Sequence, residues 1–353
     1  MNHLSTHEKY MHRCLQLAQM AEGNTYPNPM VGSVIVHKGK IIGEGYHCKA
    51  GEGHAEVNAV ASVQNKDLLK ESTLYVNLEP CAHYGKTPPC SKLIIDVQIP
   101  HVVIGCIDDY SEVAGKGVKM MEEAGVKVEH GILGKESREL NRRFFTFHNK
   151  KRPYVILKWA QTLDGFIDID RDSHLYGQPT WITNDWARRA VHKQRSTEQA
   201  ILVGRQTALK DNPSLTLRDW SGHQLLRLVI DQQCKLPAEI KLLDGTSKTL
   251  VYNSLKSVSQ KNVEYVQLDF SKDLLIQLLD DLHERGIQSV VVEGGKTTLN
   301  AFIEANLWDE AYKYIGERSF GSGIEAPLLK GEFCEKQEFN DSSLFIYRNN
   351  MVF

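Results

Sequence analysis

Three short pieces of sequence, His54-Ala55-Glu56, Pro80-Cys81 and Cys90, constrain the fold more than anything else in the chain. One imidazole and two thiols so far apart act together only if the start of a helix and the end of a strand meet at one point. Brought together, one nitrogen and two sulfurs hold zinc and leave its fourth position open for water, the arrangement of a catalytic rather than a closed structural site. Glu56, two residues after His54 on the same helix, has the place of the non-ligand carboxylate that moves protons from that water to a departing amine. A bare His-x-Glu is ordinary on a surface, and buried cysteine is ordinary in a core. The order helix, strand, Pro-Cys is what carries the zinc reading.

The surroundings supply that order. Ser5 with Glu8 forms a capping box, and Met11, Cys14, Leu15, Ala18 and Ala21 then share one helical face. A hairpin is expected from Val31–His37 and Lys40–Tyr46, turning at Lys38-Gly39. Helices over His54–Val63, Ser91–Asp96 and Lys116–Ala124 alternate with strands at Thr73–Asn77, His101–Gly105 and Val126–Glu129. The basic segment Arg142–Pro153 reads as an inter-domain connection, and the α/β pattern restarts after it. Strand-like runs follow at Tyr154–Trp159, Ala200–Val203, Arg227–Asp231, Thr249–Tyr252, Ser289–Glu293 and Glu310–Ile315. Helices are expected at Asp185–Arg195, Asp273–Arg285 and Thr297–Ala305. Two α/β domains, 1–148 and 152–353, suit a chain of 353 residues.

Charge excludes some functions. A net charge of −2 and a pI near 6.7 give no general attraction to nucleic acid or anionic membrane. No apolar run approaches the ~20 residues of a spanning helix, and residues 1–22 do not read as a signal peptide. Seven cysteines, an odd number, argue for thiols or ligands in a reducing, cytoplasmic setting.

In the second half no Gly-x-Gly-x-x-Gly follows a strand. Gly321-Ser322-Gly323 runs into Pro327 and reads as a loop. A different cradle is visible where Ser289–Val292 ends in Glu293-Gly294-Gly295 and Thr297-Thr298 opens a helix. Free amides at a helix N-terminus attract phosphate, although an isolated Gly-Gly turn without a ligand is just as common.

The eight residues between the cysteines complete a longer string, Pro80-Cys81-Ala82-His83-Tyr84-Gly85-Lys86-Thr87-Pro88-Pro89-Cys90. It resembles the deaminase half of the bifunctional diaminohydroxyphosphoribosylaminopyrimidine deaminase/reductases of riboflavin synthesis. Tyr26-Pro27-Asn28-Pro29-Met30-Val31-Gly32 and Gly45-Tyr46-His47 match the same pattern. In the second half Lys158-Trp159-Ala160-Gln161-Thr162-Leu163-Asp164-Gly165, Trp181-Ile182-Thr183 and Val203-Gly204 resemble the family's reductase.

The resemblance implies a cytidine-deaminase-like three-layer domain followed by a dihydrofolate-reductase-like domain, with one zinc per chain and NADPH. It implies zinc on His54, Cys81 and Cys90, proton transfer by Glu56, and pyrimidine nucleotide contacts from Asn28, His47, His83, Lys86 and Thr87. It also implies NADPH against Ala160, Trp181, Thr207, Asp211, Gly295, Lys296, Thr297, Thr298, Leu299, Asn300 and Ala301. The substrate's ribose phosphate falls near Arg195, Leu215, Arg218 and Glu293. A small-molecule enzyme is expected, with no nucleic acid or membrane partner, as a homo-oligomer. Tyr110 stands where the family has an Asn, and Pro179 where some relatives have a Ser.

Plainer readings stand beside these. Asn28 between two prolines suits a turn, and His47 and Lys86 suit solvated loops. Arg195 suits a helix end, and Asp211-Asn212-Pro213 a turn. A nucleic-acid deaminase would share His54, Glu56 and Cys81, but it calls for a basic face. A closed zinc module would add His83 as a fourth ligand.

Overall fold

The computed structural model describes residues 5–84, 88–108, 115–178 and 180–350. Lys86, Thr87, Tyr110 and Pro179 lie outside the described residues. The chain divides into two compact units, Met1–Lys151 and Arg152–Phe353.

The first unit opens with α1 (Thr6–Gln19). Its cap is reciprocal: the Ser5 hydroxyl accepts from the Glu8 amide at 3.2 Å, and the Glu8 carboxylate accepts from the Ser5 amide at 2.7 Å. The hairpin β1 (Gly32–His37) and β2 (Lys40–Tyr46) follows, then α2 (Ala55–Ser62), β3 (Ser72–Leu78) and α3 (Cys90–Asp96). β4 (His101–Cys106), α4 (Lys116–Glu123), β5 (Lys127–His130), α5 (Gly134–Leu140) and α6 (Arg142–Lys150) complete it. The sheet order is β2-β1-β3-β4-β5. β1 is antiparallel to both neighbours, and β3, β4 and β5 run parallel.

Strand alternation sends side chains to both faces. Val34, Val36, Tyr75 and Val103 pack with Tyr10, Met11, Cys14 and Leu17 of α1. Ile35, Leu74, Val76 and Ile104 pack the other way, with Ala59 of α2, Ile94 of α3 and Met121 of α4. The result is the expected three layers.

The supposed connection Arg142–Pro153 is mostly α6. Phe145 is buried there against Leu78 and Cys106. Six basic residues hid Phe145, the phenylalanine of α6 that is buried, with Phe144 packed beside it, and packing rather than periodicity made the helix.

The second unit contains β6 (Tyr154–Thr162), β7 (Phe166–Asp168), α7 (Asp185–Ser196), β8 (Ala200–Gly204), α8 (Arg205–Asp211) and β9 (Leu226–Ile230). β10 (Thr249–Asn253), β11 (Val258–Gln260), β12 (Val263–Gln267), α9 (Leu274–Glu284) and β13 (Ser289–Val292) come next. The unit ends with α10 (Lys296–Glu304), β14 (Glu310–Gly316), β15 (Ile324–Glu325), β16 (Glu332–Phe339) and β17 (Ser342–Arg348).

Ten strands form one sheet in the order β11-β12-β10-β9-β8-β13-β6-β14-β17-β16. From β12 to β14 all neighbours are parallel. These strands read as continuous apolar runs because both faces are covered. Leu202, Leu228 and Val292 pack with Leu278 of α9 and Phe302 of α10, while Val203, Val229 and Val251 face Ala208 of α8. β16 and β17 form a hairpin in the tail that carried no sequence signal. β16 is an exposed edge rich in Glu and Lys, which discourages further strand pairing. Among the described residues no helix is long and apolar enough to cross a membrane.

Candidate active site

The first site grows from the junction of α2, β3 and α3. His54 is the N-cap residue of α2, and Glu56 lies in its first turn. Gly45 lets α2 settle on β2, since a Cβ there would lie 2.3 Å from the Ala59 amide nitrogen. Cys81 follows the end of β3, and Cys90 opens α3. The Ser91 amide and hydroxyl both donate to the Cys81 carbonyl, at 3.2 and 2.9 Å. That clasp returns the long loop to its start.

His54 Nδ1 lies 3.6 Å from Cys81 Sγ and 3.3 Å from Cys90 Sγ. Zn–N of ~2.0 Å and Zn–S of ~2.3 Å at a tetrahedral angle place such ligand atoms about 3.5 Å apart. The donor set therefore fits zinc as it stands, with three of four corners filled. Among the described residues it is the one group of three such donors within 4.8 Å of one another, and exposed His83 is not part of it. Cys81 is drawn down to about 4 by Cys90, against burial and with help from His54, while Cys90 is pushed up by its neighbour Cys81. Glu56 is 3% exposed, and burial together with the Cys81 charge lifts its carboxyl to about 7.

Asn28 and His47 come to the same place. His47 donates from Nδ1 to the Gly53 carbonyl at 3.1 Å, and its Nε2 accepts from Asn28 Nδ2 at 3.0 Å. The His47 ring stands 5.5 Å from that of His54, and burial lowers its pKa, so the ring is the neutral Nδ1–H tautomer. Sequence reasoning missed the support. Asn141 grips both backbone groups of Met30 at 2.8 and 2.9 Å, from 111 positions away, and Asn77 donates to the same carbonyl at 3.1 Å. Nothing local marks an asparagine for a partner so distant.

The second site is a cleft of about 960 Å³ at the carboxyl ends of β8 and β13, where open parallel sheets bind ligands. Ala160, Trp181, Thr207, Asp211 and Gly295, with Lys296, Thr297, Thr298 and Leu299, line it. Arg195, Leu215, Arg218 and Glu293 do too, whereas Asn300 and Ala301, further along α10, are not among its walls. A Cβ on Gly204 would lie 2.6 Å from Thr298 Oγ1, and one on Gly295 would lie 3.1 Å from Thr207 Oγ1. The glycines keep open a slot with a hydroxyl on either side. No side chain caps α10, so its first amides face that slot. The cleft thus suits a dinucleotide phosphate.

Glu293 holds the centre. Arg195 grips it with two bonds of 2.7 and 2.6 Å, and Lys158 lies 3.5 Å away. Burial opposes the Glu293 charge, but Arg195 and Lys158 outweigh it and hold the carboxyl down to about 2. Burial lowers Lys158, with Glu293 resisting. Arg171, unsuspected from sequence, bonds to both Asp168 and Asp211, and burial raises the Asp211 pKa against that pairing. Arg188 lies 4.2 Å over the ring of Trp181, which is itself 47% exposed.

The model of the RibD C-terminal domain matches residues 153–352, and that of the cytidine and deoxycytidylate deaminase zinc-binding region matches residues 4–106. The riboflavin biosynthesis protein RibD of Aquifex aeolicus is 38% identical, covering 90% of this chain and 88% of its own. The RibD of Escherichia coli is 36% identical, covering 89% of each chain. A crystal structure from Thermotoga maritima, a diaminohydroxyphosphoribosylaminopyrimidine deaminase/5-amino-6-(5-phosphoribosylamino)uracil reductase, superposes with a TM-score of 0.87 at 36% identity. It covers 97% of this chain and 98% of its own. Both sites and both matched domains lead to one conclusion: the chain belongs to the RibD family, the bifunctional deaminase/reductases of riboflavin biosynthesis.

Proposed function

We propose that residues 1–148 deaminate 2,5-diamino-6-ribosylamino-4(3H)-pyrimidinone 5′-phosphate and that residues 152–353 reduce the product, 5-amino-6-(5-phosphoribosylamino)uracil, to the ribitylamino compound. The observation that carries this reading is a buried Glu56 with a near-neutral carboxyl beside a three-donor zinc set.

His54, Cys81 and Cys90 would hold zinc, which when bound would supply a Lewis acid able to make water nucleophilic at neutral pH. Glu56 carries the two protons of the attacking water, one to the adjacent ring nitrogen and one to the 2-amino group, so that the C–N bond breaks, ammonia departs and the added oxygen stays as a carbonyl. A carboxyl near pH 7 both accepts and gives at working pH. Asn28 and neutral His47 orient the pyrimidine ring. His83, with Lys86 and Thr87, takes the polar end of the substrate.

Bound in the second unit, NADPH would supply a hydride to the anomeric carbon as the C–O bond of the ribose ring opens, the ring oxygen leaving as a hydroxyl with a proton drawn from solvent. Gly295–Leu299, Thr207, Asp211, Ala160 and Trp181 hold the cofactor, with Asn300 and Ala301 completing the helix behind it. Arg195, Leu215, Arg218 and Glu293 hold the substrate. Arg218 is exposed and has no ion-pair partner among the described residues, which suits a phosphate ligand. None of the seven cysteines forms a disulfide, in keeping with a cytoplasmic enzyme. The reading includes a homo-oligomer, to be tested by light scattering.

The test is the full chain, with zinc quantified, given the pyrimidine phosphate or a tRNA adenosine. Expected are one zinc per chain, ammonia from the pyrimidine alone, and NADPH oxidation only once deamination has occurred. Ammonia from tRNA, or none from the pyrimidine, overturns the reading.

A further inference from the structure

The face of α7 that lines the reductase cleft repeats at helical spacing: Arg188, Val191, His192 and Arg195. His192 is the one without an assigned task. Its side chain is 6% exposed, and Nε2 lies 3.5 Å from Asp219 Oδ2. Its Nδ1 is buried with no hydrogen-bond partner. An unpartnered buried nitrogen is costly; the atom is closed to water in the free cleft, so a ligand oxygen meets it once the ring shifts, and displaces no protein hydrogen bond in doing so.

Charge balance gives the nitrogen a use. The charges facing His192 are Arg195 on its own helix, Arg218 and Asp219 on the loop after α8, and Glu293 at the end of β13. Arg195 already spends two donors on Glu293, and Asp219 offsets part of Arg218. A phosphate dianion entering this corner meets less positive charge than two arginines suggest.

We propose that His192 is a third phosphate-binding side chain of the reductase, donating from Nδ1 to the substrate's phosphate as an imidazolium while Nε2–H is held by Asp219. The proposal rests on the reductase reading above and adds to it a residue and a coupled proton. In the free cleft, burial, Arg195 and Arg218 lower the His192 pKa while Asp219 and Glu293 oppose them. The imidazole is therefore neutral at neutral pH before the substrate arrives. A dianion beside it reverses the balance, so binding takes up a proton.

The sign follows. The pKa in the complex lies above that in the free protein. Affinity is greatest below the free value, falls between the two values as pH rises, and levels off above the bound one. The fall approaches about tenfold per pH unit between the two values. The phosphate itself is mostly dianionic above about pH 6.5, so the profile is measured from there upward.

The experiment uses the full-length enzyme with NADPH and 5-amino-6-(5-phosphoribosylamino)uracil, with the dephosphorylated compound as control. Calorimetric titration of the substrate without NADPH, in two buffers of different ionisation enthalpy, should show proton uptake, and the control should show none. His192→Gln, which keeps a polar side chain of similar length and cannot become a cation, should raise the substrate KM roughly tenfold or more near pH 7. It should also flatten the rise of KM with pH while leaving the KM for NADPH in place. Proton-neutral binding by the wild type overturns the proposal even if the variant fails to fold. Turnover by the wild type with an unchanged substrate KM in His192→Gln removes His192 alone and leaves the reductase reading intact. A wild type that oxidises no NADPH with this substrate overturns both.

Discussion

Glu293→Gln should destabilise the second unit by roughly 3 kcal/mol at neutral pH. The structure gives the size in two ways. The carboxyl sits at about 2 instead of 4.5, and at ~1.36 kcal/mol per pH unit that gap is worth roughly 3 kcal/mol. Independently, removing one member of a buried ion pair costs about 3–5 kcal/mol, because the other charges stay buried. Here the stranded partners are Arg195 and Lys158, whose side chains are only 12% and 15% exposed. Solvent screening takes little away. Because the folded pKa is depressed, the stabilisation is present in full above about pH 4.5 and is lost as pH falls toward 2. All five tryptophans, at 159, 181, 186, 220 and 308, lie in the second unit. Urea unfolding followed by tryptophan fluorescence therefore reports on that unit alone. The gap between wild type and variant should be widest at pH 6–7 and shrink in acid. A variant within ~1 kcal/mol of wild type at pH 7, the range of an exposed pair, would refute the buried-network account.

Glu56→Gln should keep zinc but lose ~10²–10⁴ in ammonia release, and near-normal turnover would remove Glu56 from proton transfer. Cys90→Ser should lose zinc and soften the first unit, because a hydroxyl is a poor zinc ligand; full metal occupancy would show that Cys90 is not a donor. Arg218→Ala should raise the KM of the reductase substrate by about ten- to a hundredfold, and because Arg218 is exposed it should leave urea unfolding of the second unit near wild type. A fragment beginning at Lys151 should fold and oxidise NADPH with the deaminated substrate without zinc, and a folded but inert fragment would contradict independent chemistry in residues 152–353.

The zinc donor set was legible in the sequence because each donor sits where a local rule fixes it. His54 starts a helix, Cys81 follows the end of a strand behind a proline, and Cys90 begins the next helix. The same holds for the α1 cap and for the parallel strands of the second unit, whose apolar runs announce burial on both faces. The resemblance, not periodicity, carried the individual cleft residues and both cofactors. Tertiary structure decided the rest. The supposed connection became α6 because Phe145 found Leu78 and Cys106, a contact no window around Arg142–Pro153 contains. The tail became the β16–β17 hairpin because β14 offered its edge to β17. Arg195 reads as a free cation in sequence, yet in the fold it is forked onto Glu293, 98 positions away. His192 reads as one more helix residue until its buried Nδ1 is found without a partner on the wall of a cleft. Local rules place residues on elements, but charge compensation and unsatisfied polar atoms exist only between elements, so only the folded chain reveals them.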